Sequence, residues 1–314
     1  MAVLIVEDLW CELPDWFSSR YQVIQEPSLC NELEKIRSAA PGIRALVVRN
    51  RTRVDRDLLN CLPNVKVIGR LGIGLDNIDL KACREREVVV VAAKGCNANS
   101  VAEYVIAGIF QHARFLSACD TLTRSGLWDR KNCMGHELHG KTLGVIGVGD
   151  IGQRLAIRAR AFGMNVVAYD PYIANSHMLV QDFGVDLTSL EDVCRMSDYI
   201  SVHVPLTTAT HHLIGHPELS VMKETAVIIN TSRGGIIDER ALLSCLEQSP
   251  QRFAILDVRE VEPPAPEDPF RLLPNVILTP HIAGVTHESS QRVAEFIFRD
   301  IDRVLSGQPP LGAV

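Results

Sequence analysis

The sequence has no long hydrophobic run, no CxxC cysteine pair and no excess of basic residues. Its most apolar internal stretch, Val88–Ala93, is far too short to span a bilayer, so we expect no membrane partner. The nine cysteines are odd in number and scattered, which argues against a disulfide framework and favours a reducing cytoplasm. A net charge of −6 offers no basic field for a phosphate backbone, so nucleic acid is not expected as a partner.

Signals for export, metal binding and internal repeats are also missing. The run Met1–Val6 is apolar but has no basic region and meets acids at once, which predicts a buried strand rather than a signal peptide. The histidine pairs His211–His212 and His136 with His139 have no cluster of carboxylates or thiols beside them. We therefore expect no metal.

Short runs of β-branched residues alternate with amphipathic segments along the 314 residues, a length typical of about two domains. This alternation predicts βαβ units and parallel sheets, with four strands before residue 95 and six after residue 140. The predicted strands are Val3–Val6, Ala45–Val48, Val65–Ile68, Val88–Ala92, Thr142–Ile146, Val166–Tyr169, Tyr199–Val204, Ala226–Asn230, Phe253–Asp257 and Val276–Leu278.

Helix signals between the strands support this interpretation. Gly163 is placed to end the helix that follows Gly152. Thr188 and Glu191 form a capping-box pattern, and Asp238 is placed to cap a helix that runs through Leu246.

Two longer helical patterns set the organisation of the domains. Ser100–Cys119 is predicted as one helix that connects the two sheets. Glu288–Leu305 follows the last strand and is predicted to cross back and pack on the first domain. Two crossings predict a two-hinge protein with a cleft between its lobes.

A glycine-rich turn follows the strand Thr142–Ile146 and leads into the helical pattern Gln153–Phe162. Gly147 suits the tight turn, Gly149 lets the backbone approach a pyrophosphate, and Gly152 lets helix and strand pack closely. The helix N-terminus offers free amides and a partial positive charge. The pattern predicts a dinucleotide site.

An acid stands at the end of the next strand. Asp170 lies eighteen residues beyond Gly152, where a carboxylate accepts hydrogen bonds from the adenosine ribose and repels a 2′-phosphate. Pro171 and Tyr172 follow, with no arginine to bind such a phosphate. We therefore expect NAD rather than NADP, the alternative being a surface aspartate after a packed βαβ unit.

Three ionisable residues follow three consecutive strands of the second predicted sheet. Arg233, Glu262 and His281 come after strand ends, which share the ligand-binding edge of a parallel sheet. Arginine presents a planar fork to a carboxylate, and histidine gives or takes a proton near neutrality. A carboxylate beside the histidine stabilises its charged form. Together they fit carbonyl reduction of a 2-oxo acid, although singly each fits a solvated or structural residue.

Motifs along essentially the whole chain resemble those of the D-isomer-specific 2-hydroxyacid dehydrogenases. They are Arg70–Asp79, Asn97–Glu103, Gly147–Gly152, His203–Leu206, Asn230–Gly235, Leu256–Pro263 and Leu278–His281. The resemblance implies that Arg233 binds the substrate carboxylate, that His281 is the proton donor and that Glu262 is its partner.

The resemblance also implies contacts to NAD and to a small 2-oxo or 2-hydroxy acid. The residues implied for NAD, besides the glycines of the turn, are the amides of Asp150 and Ile151 at the pyrophosphate, Asp170 at the ribose, Asp257 at the carboxamide, and Thr231 and the backbone near Val204 beside the nicotinamide riboside. Gly284 is also predicted to bind the cofactor. Those implied for the substrate are the amides of Ile73 and Gly74, with Arg51 and Asn97 across the cleft. Val204 and Ile73 stand where many relatives carry threonine, so hydroxyl contacts are not expected there.

The predicted fold is α/β, with two doubly wound parallel-sheet domains. A Rossmann NAD-binding domain, residues 99–285, is inserted in a flavodoxin-like substrate domain, residues 1–98 and 286–314. Family members usually dimerise through the second domain, so we expect a homodimer whose arm is Arg124–His139, with Trp128. The chain stops soon after Leu305, and the regulatory domain of some phosphoglycerate dehydrogenases is expected to be absent.

The predicted activity is NAD-dependent interconversion of a small 2-hydroxy acid and its 2-oxo acid. The loop Arg49–Arg53 contributes three cations, which favours a second anionic group, as in 3-phosphoglycerate, sulfolactate or 2-hydroxyglutarate. The alternative is that these arginines are solvated or pair with Asp55 and Asp57.

Other functions stay open at this point. Hydroxypyruvate or glyoxylate reduction fits the same residues, and so does a non-catalytic NAD-sensing scaffold that resembles transcriptional corepressors. Glu262 argues against formate dehydrogenase, whose histidine partner is glutamine. The position of Gly147 argues against L-lactate and malate dehydrogenases, whose nucleotide motif begins the chain.

Overall fold

The computed structural model describes residues 1–39 and 41–314 and divides the chain into two compact units. The first comprises Met1–Asn97 and Val285–Val314, and the second comprises Ala98–Gly284. Within the described part of the chain, no helix is long and apolar enough to cross a membrane.

The first unit contains a five-stranded parallel sheet. Its strands lie in the order β2-β1-β3-β4-β5, which is the flavodoxin-like order. The strands are β1 (Ala2–Ile5), β2 (Gln22–Gln25), β3 (Ile43–Val48), β4 (Val67–Arg70) and β5 (Val89–Ala92), and the helices are α1 (Asp15–Ser18), α2 (Leu33–Ala39), α3 (Arg56–Cys61), α4 (Leu80–Glu85) and α12 (His287–Leu305).

The last helix of the chain completes the first unit. Phe298 of α12 is buried and packs on Phe17, with ring centroids 4.6 Å apart. Gly69 in β4 makes room for the helix, because a Cβ there would lie 2.7 Å from Ile297. The predicted return of this helix to the first domain is confirmed.

The second unit contains a seven-stranded parallel sheet. Its order is β12-β11-β10-β9-β6-β7-β8, the Rossmann arrangement with one further strand. The strands are β6 (Thr142–Ile146), β7 (Asn165–Tyr169), β8 (Asp186–Leu187), β9 (Tyr199–Val202), β10 (Val227–Asn230), β11 (Phe253–Leu256) and β12 (Val276–Leu278). The helices are α5 (Ala98–Arg114), α6 (Leu116–Arg124), α7 (Asp150–Ala161), α8 (Met178–Gln181), α9 (Leu190–Met196), α10 (His216–Ser220) and α11 (Glu239–Gln248).

Helices cover both faces of this sheet, so its central strands are buried on both sides and read as continuous apolar runs. Three short 3-10 turns, Pro27–Leu29, Gly234–Ile236 and Pro269–Leu272, complete the elements of the described residues. The predicted fold of two doubly wound parallel sheets is confirmed.

Two strands were missing from the sequence prediction, and both lie at sheet edges. β2 has the sequence Gln-Val-Ile-Gln with both glutamines exposed, and β8 is only two residues long. An edge strand is hydrogen-bonded on one side only and buries little, so neither has the apolar run that identifies a central strand.

Two helix predictions were wrong in detail. The expected single helix Ser100–Cys119 is interrupted at Phe115, whose φ of +34° separates α5 from α6. Phenylalanine is no helix breaker, so the sequence carries no signal for this break. The cap of α9 is Ser189, which accepts from the amide of Asp192, rather than Thr188.

Candidate active site

The glycine turn joins β6 to α7 in the second unit. Gly147 has a φ of +92°, and a Cβ there would lie 2.9 Å from the backbone of His203. At Gly152 a Cβ would lie 2.2 Å from the carbonyl oxygen of Gly147. At Gly149 it would meet nothing within 4 Å among the described atoms. The turn thus combines tight internal packing with an open backbone face, as a pyrophosphate site requires.

The first turn of α7 faces the same opening. Its N-cap is Gly149, so no side chain of the described residues caps the helix there. The amides of Asp150 and Ile151 therefore stand at a helix N-terminus with its partial positive charge. The Asp150 carboxylate is exposed and lies 3.5 Å from Nη1 of Arg154.

Asp170 follows β7 and is bonded to the glycine turn. One carboxylate oxygen accepts from the amide of Val148 at 2.8 Å, and the other accepts from the amide of Tyr172 at 3.0 Å. Each oxygen keeps a lone pair for a further donor. The acid is thereby fixed beside the turn, where an adenosine ribose would meet it.

Thr231 and Val204 lie at the ends of the neighbouring strands. Thr231 is 8% exposed, and its hydroxyl is buried without a hydrogen-bond partner among the described residues. A buried unsatisfied hydroxyl is costly, so it fits a position that a ligand completes. Val204 lies against the turn, 2.8 Å from a Cβ built on Gly147. These residues fit a dinucleotide.

Asp257, which is predicted to contact the nicotinamide carboxamide, also has several hydrogen-bond partners within the protein. Its buried carboxylate accepts from the hydroxyl of Thr279 at 2.6 Å and from the amides of Ile282 and Ala283 at 2.8 and 2.7 Å. These bonds hold the backbone on both sides of His281. Gly284 follows directly after this held segment.

His281 and Glu262 form a direct pair. The Nδ1 atom of His281 lies 2.8 Å from Oε2 of Glu262, and about a third of each side chain is exposed. His281 has a φ of +57°, a left-handed conformation that the bonds to Asp257 hold in place. The ring is therefore both oriented and accessible.

Several groups act on the Glu262 carboxylate. Partial burial alone would raise its pKa, but the hydrogen bonds from His281 and the amide of Arg259, with the charges of His281 and Arg233, outweigh burial. The pKa of Glu262 is therefore lowered, and the carboxylate stays ionised beside the imidazole.

Arg233 lies in the loop after β10, and its charge reaches Glu262. The buried side chain of Asn230 shapes this loop, because its Nδ2 donates to the carbonyl of Arg233 and its Oδ1 accepts from the amide of Ser232. The structure thus brings the three predicted residues Arg233, Glu262 and His281 together at one edge of the sheet.

A second histidine near the turn is a different kind of residue. His203 is half-buried, its Nε2 lies 2.9 Å from the hydroxyl of Ser201, and burial lowers its pKa to about 3. It stays neutral across the physiological range, so His281 is the histidine suited to donate a proton.

The residues predicted for the substrate all follow strands of the first unit. Arg51 follows β3, Ile73 and Gly74 follow β4, and Asn97 follows β5. Parallel strands end at one edge of their sheet, so these residues share that edge. The Oδ1 atom of Asn97 is buried without a partner in the described part of the chain.

A buried carboxylate that the sequence analysis missed organises the loop after β3. Glu7 is almost fully buried and accepts from the amides of Arg49, Arg51 and Thr52 at 2.9 to 3.1 Å. Asn77 adds bonds to the carbonyls of Arg49 and Thr52. An acid in an otherwise apolar strand end was the available signal for Glu7.

The three arginines of this loop differ in their surroundings. Arg49 lies 3.8 Å over the ring of Trp10 and donates to the carbonyl of Asp8, and Arg53 pairs with Asp55 at 3.6 Å. Only the guanidinium of Arg51 is exposed with no partner among the residues described. The contact of Arg51 with a substrate stays a prediction.

The geometry defines a class of protein: a Rossmann unit with a dinucleotide-type glycine turn and an arginine, a glutamate and a histidine at the carboxyl edge of its sheet. The family model of the D-isomer specific 2-hydroxyacid dehydrogenase NAD-binding domain matches residues 106–283. The chain belongs to this family, and its second unit is the family's NAD-binding domain.

Named relatives agree with the family. (S)-sulfolactate dehydrogenase from Chromohalobacter salexigens is 43% identical over 280 residues, covering 89% of this chain and 90% of that protein. D-3-phosphoglycerate dehydrogenase from Archaeoglobus fulgidus is 40% identical over all 314 residues, and this chain spans 59% of its length. The crystal structure of the TT0316 protein from Thermus thermophilus matches with a TM-score of 0.87 and 30% identity, covering 100% of both chains.

Proposed function

We propose that this chain catalyses the NAD-dependent interconversion of a small 2-hydroxy acid and its 2-oxo acid. The observation that carries the proposal is the contact of His281 with Glu262 at 2.8 Å beside Arg233, on the family's NAD-binding unit. Bound NADH supplies a hydride to the 2-carbon.

The residues of the chain divide the remaining work. Arg233 binds the substrate carboxylate with its planar fork and polarises the neighbouring carbonyl. Glu262 holds the Nδ1 proton of His281, which leaves Nε2 to donate its proton to the carbonyl oxygen as the hydride arrives. In the oxidative direction the neutral ring takes the hydroxyl proton, and Glu262 stabilises the imidazolium that forms.

A panel of NADH oxidation tests this activity. The substrates are glyoxylate, hydroxypyruvate, pyruvate, 2-oxoglutarate, phosphohydroxypyruvate and sulfopyruvate. Turnover with at least one of them supports the proposal, and turnover with NADPH as well as with NADH would contradict the assignment of Asp170. Preference for hydroxypyruvate or glyoxylate would favour the alternative reductase function.

We further propose a substrate with a second anionic group, which Arg51 binds. Its support is the exposed guanidinium of Arg51 on a loop whose backbone Glu7 fixes. The two named relatives act on acids that carry a phosphate or a sulfonate in addition to the carboxylate. A wild type that prefers pyruvate would contradict this assignment.

We also propose a homodimer. The support comes from α6 and the arm Arg124–His139: α6 has no buried residue, and Trp128 in the arm is 81% exposed, with Leu127 and Met134 also exposed. Large apolar side chains in one exposed segment mark an interface. Sedimentation velocity should give the mass of two chains, and the mass of one chain would contradict the dimer.

We also propose a cytoplasmic location, and the support for it is the state of the cysteines. All nine are free in the structure, which fits a reducing compartment. Fractionation of the source cells, with an antibody to the protein, tests this location.

A further inference from the structure

A buried guanidinium lies beneath the loop that carries Glu262. Arg259 follows β11, and its side chain is only 9% exposed. Its Nε and Nη2 atoms each donate to a carboxylate oxygen of Glu239 at 2.9 Å, and its Nη1 atom donates to Asp268. The guanidinium also lies 4.5 Å over the ring of Phe270. Both edges of the planar fork and one face are therefore occupied.

The charges of this cluster lock one another in place. Burial alone would lower the pKa of Arg259, but hydrogen bonds and charges from Glu239 and Asp268 outweigh burial and raise it. Removing one partner of a buried pair leaves an uncompensated charge, which is strongly unfavourable. The side chain, and with it the backbone of residue 259, is therefore held in a single position.

That backbone contacts the proposed catalytic residues on two sides. The amide of Arg259 donates to Oε1 of Glu262 at 3.0 Å, while the other oxygen of Glu262 faces His281. The carbonyl of Arg259 lies 2.0 Å from a Cβ built on Gly234, so it packs directly on the residue after Arg233. Only glycine permits this approach. One backbone unit thus adjoins both loops.

We propose that Arg259 is a positioning residue: its buried side chain fixes the backbone that orients Glu262 toward His281 and places the Arg233 loop. This inference rests on the proposed function. It assigns the organisation of the site to a residue that touches neither substrate nor cofactor. The competing explanation is that Arg259 contributes to folding stability alone.

The chain offers a matched control at the other end of the same strand. Arg252 immediately precedes β11, is partly buried, and donates to the carbonyls of Met222 and Lys223. Because β11 runs from Arg252 toward Arg259, the control lies at the end of the strand away from Glu262. Loss of Arg252 therefore reports what removing a packed arginine does by itself.

The experiment compares R259M, R259K and R252M by thermal unfolding, NADH affinity and the pH dependence of kcat/KM. R259M should lower kcat on the order of ten- to a hundredfold, the range for a lost charge-assisted contact, with the NADH Kd within about twofold. The upper pH limit of reduction should fall, because a displaced Glu262 no longer stabilises the imidazolium of His281. E262Q, which removes the charge of Glu262 directly, should lower the same limit. R259K keeps the positive charge but not the planar fork, so its kcat and its pH limit should lie between those of the wild type and R259M. R252M should lower Tm and leave the pH limit unchanged.

A readout without turnover separates this inference from the proposed function. The ring signal of His281 is titrated by NMR in the wild type, E262Q and R259M. Its midpoint should move to lower pH in both variants. Among the charged groups around this pair, Arg233 acts on Glu262, the Asp257 carboxylate accepts from the amide of Ile282 next to His281, and Glu260 on the same loop faces His212.

The outcomes are distinct. If the wild type reduces no 2-oxo acid, the proposed function fails, and the titration still decides the role of Arg259. A His281 midpoint in R259M equal to that of the wild type overturns the inference, as does a pH limit that R252M moves equally. If R259M does not fold, E239Q removes one partner of the fork and should shift the midpoint in the same direction by less; no shift overturns the inference.

Discussion

Each unit holds one of its loops with a buried charge, and the two charges are of opposite sign. In the first, the carboxylate of Glu7 gathers three backbone amides of the loop after β3. In the second, the guanidinium of Arg259 binds the carboxylates of Glu239 and Asp268 beneath the loop after β11. Both charges are satisfied internally, as buried charges must be.

The sign of the buried charge decides what the loop can present. A buried anion bound to backbone amides leaves the cationic side chain of Arg51 exposed for an anionic group. A buried cation bound to two other acids leaves the carboxylate of Glu262 for His281. In the proposed function, Arg51 of the first unit binds the second anionic group of the substrate, whereas the second unit binds NAD and the substrate carboxylate and transfers the proton. Variants in the two units should separate KM effects from kcat effects.

The largest expected effect is in the second unit, at His281. Positioned proton transfer typically accelerates a reaction by roughly 10²–10⁴-fold, so H281A should lose about that factor in kcat for every 2-oxo acid. NADH binding, followed by fluorescence titration, should be unchanged. The control is H287A, an exposed histidine on α12. Equal losses in both variants would remove the proton-donor role from His281.

Asp170 should affect the cofactor and not the choice of substrate. A charged acceptor bonded to ribose hydroxyls contributes roughly 1.5–3 kcal/mol, so D170A should weaken NADH binding about ten- to a hundredfold. It should also narrow the preference for NADH over NADPH, because the repulsion of a 2′-phosphate is lost. D186A, at the exposed edge strand β8, is the control. An unchanged cofactor preference in D170A would show that selectivity lies elsewhere.

The substrate residues of the first unit give the complementary test. R51A should raise KM at least tenfold for a 2-oxo acid with a second anionic group, the loss expected for one charge-assisted contact of about 1.5–3 kcal/mol. KM for pyruvate or glyoxylate should stay nearly constant. R53A is the control, because Arg53 pairs with Asp55 in the same loop. Equal changes for both kinds of substrate would contradict the assignment of Arg51.

The smallest change in rate should come from substitution of Glu262, which should also shift the pH profile of reduction. Glutamine keeps the shape but not the charge that favours imidazolium, so E262Q should cost less kcat than H281A, and reduction should fade at lower pH. The lowered pKa of Glu262 keeps it ionised over the range of this measurement. E267Q, in the same proline-rich loop, should leave the profile unchanged. A profile in E262Q that matches the wild type would separate Glu262 from His281.

The sequence predicted the central strands, the return of the last helix and the family. These features carry strong local signals: continuous apolar runs, an amphipathic repeat and glycines at fixed spacing. It did not predict the edge strands β2 and β8, whose residues bury little, or the break at Phe115, where no breaker residue stands.

The candidate ligand residues could be identified from their positions after strands, but their supports could not. Glu7 and Arg259 meet their partners through tertiary contacts. The acid at the end of an apolar strand was a weak local signal for Glu7, and nothing in the local sequence marks Arg259 as a charge that the fold will bury. The same limit made the three arginines of one loop look alike, until the ring of Trp10 and the carboxylate of Asp55 separated them. The roles of the predicted contacts to NAD and substrate stay predictions.

A single-turnover measurement tests the central claim most directly. The wild-type protein is mixed with substoichiometric NADH and then with an excess of each of the six 2-oxo acids, while NADH absorbance and the product acid are followed. The account predicts that, with at least one of these acids, one 2-hydroxy acid forms for each NADH oxidised, and that the decay is lost in H281A although NADH still binds. NADH that binds and is oxidised by none of the acids would contradict the account and favour a nucleotide-sensing scaffold.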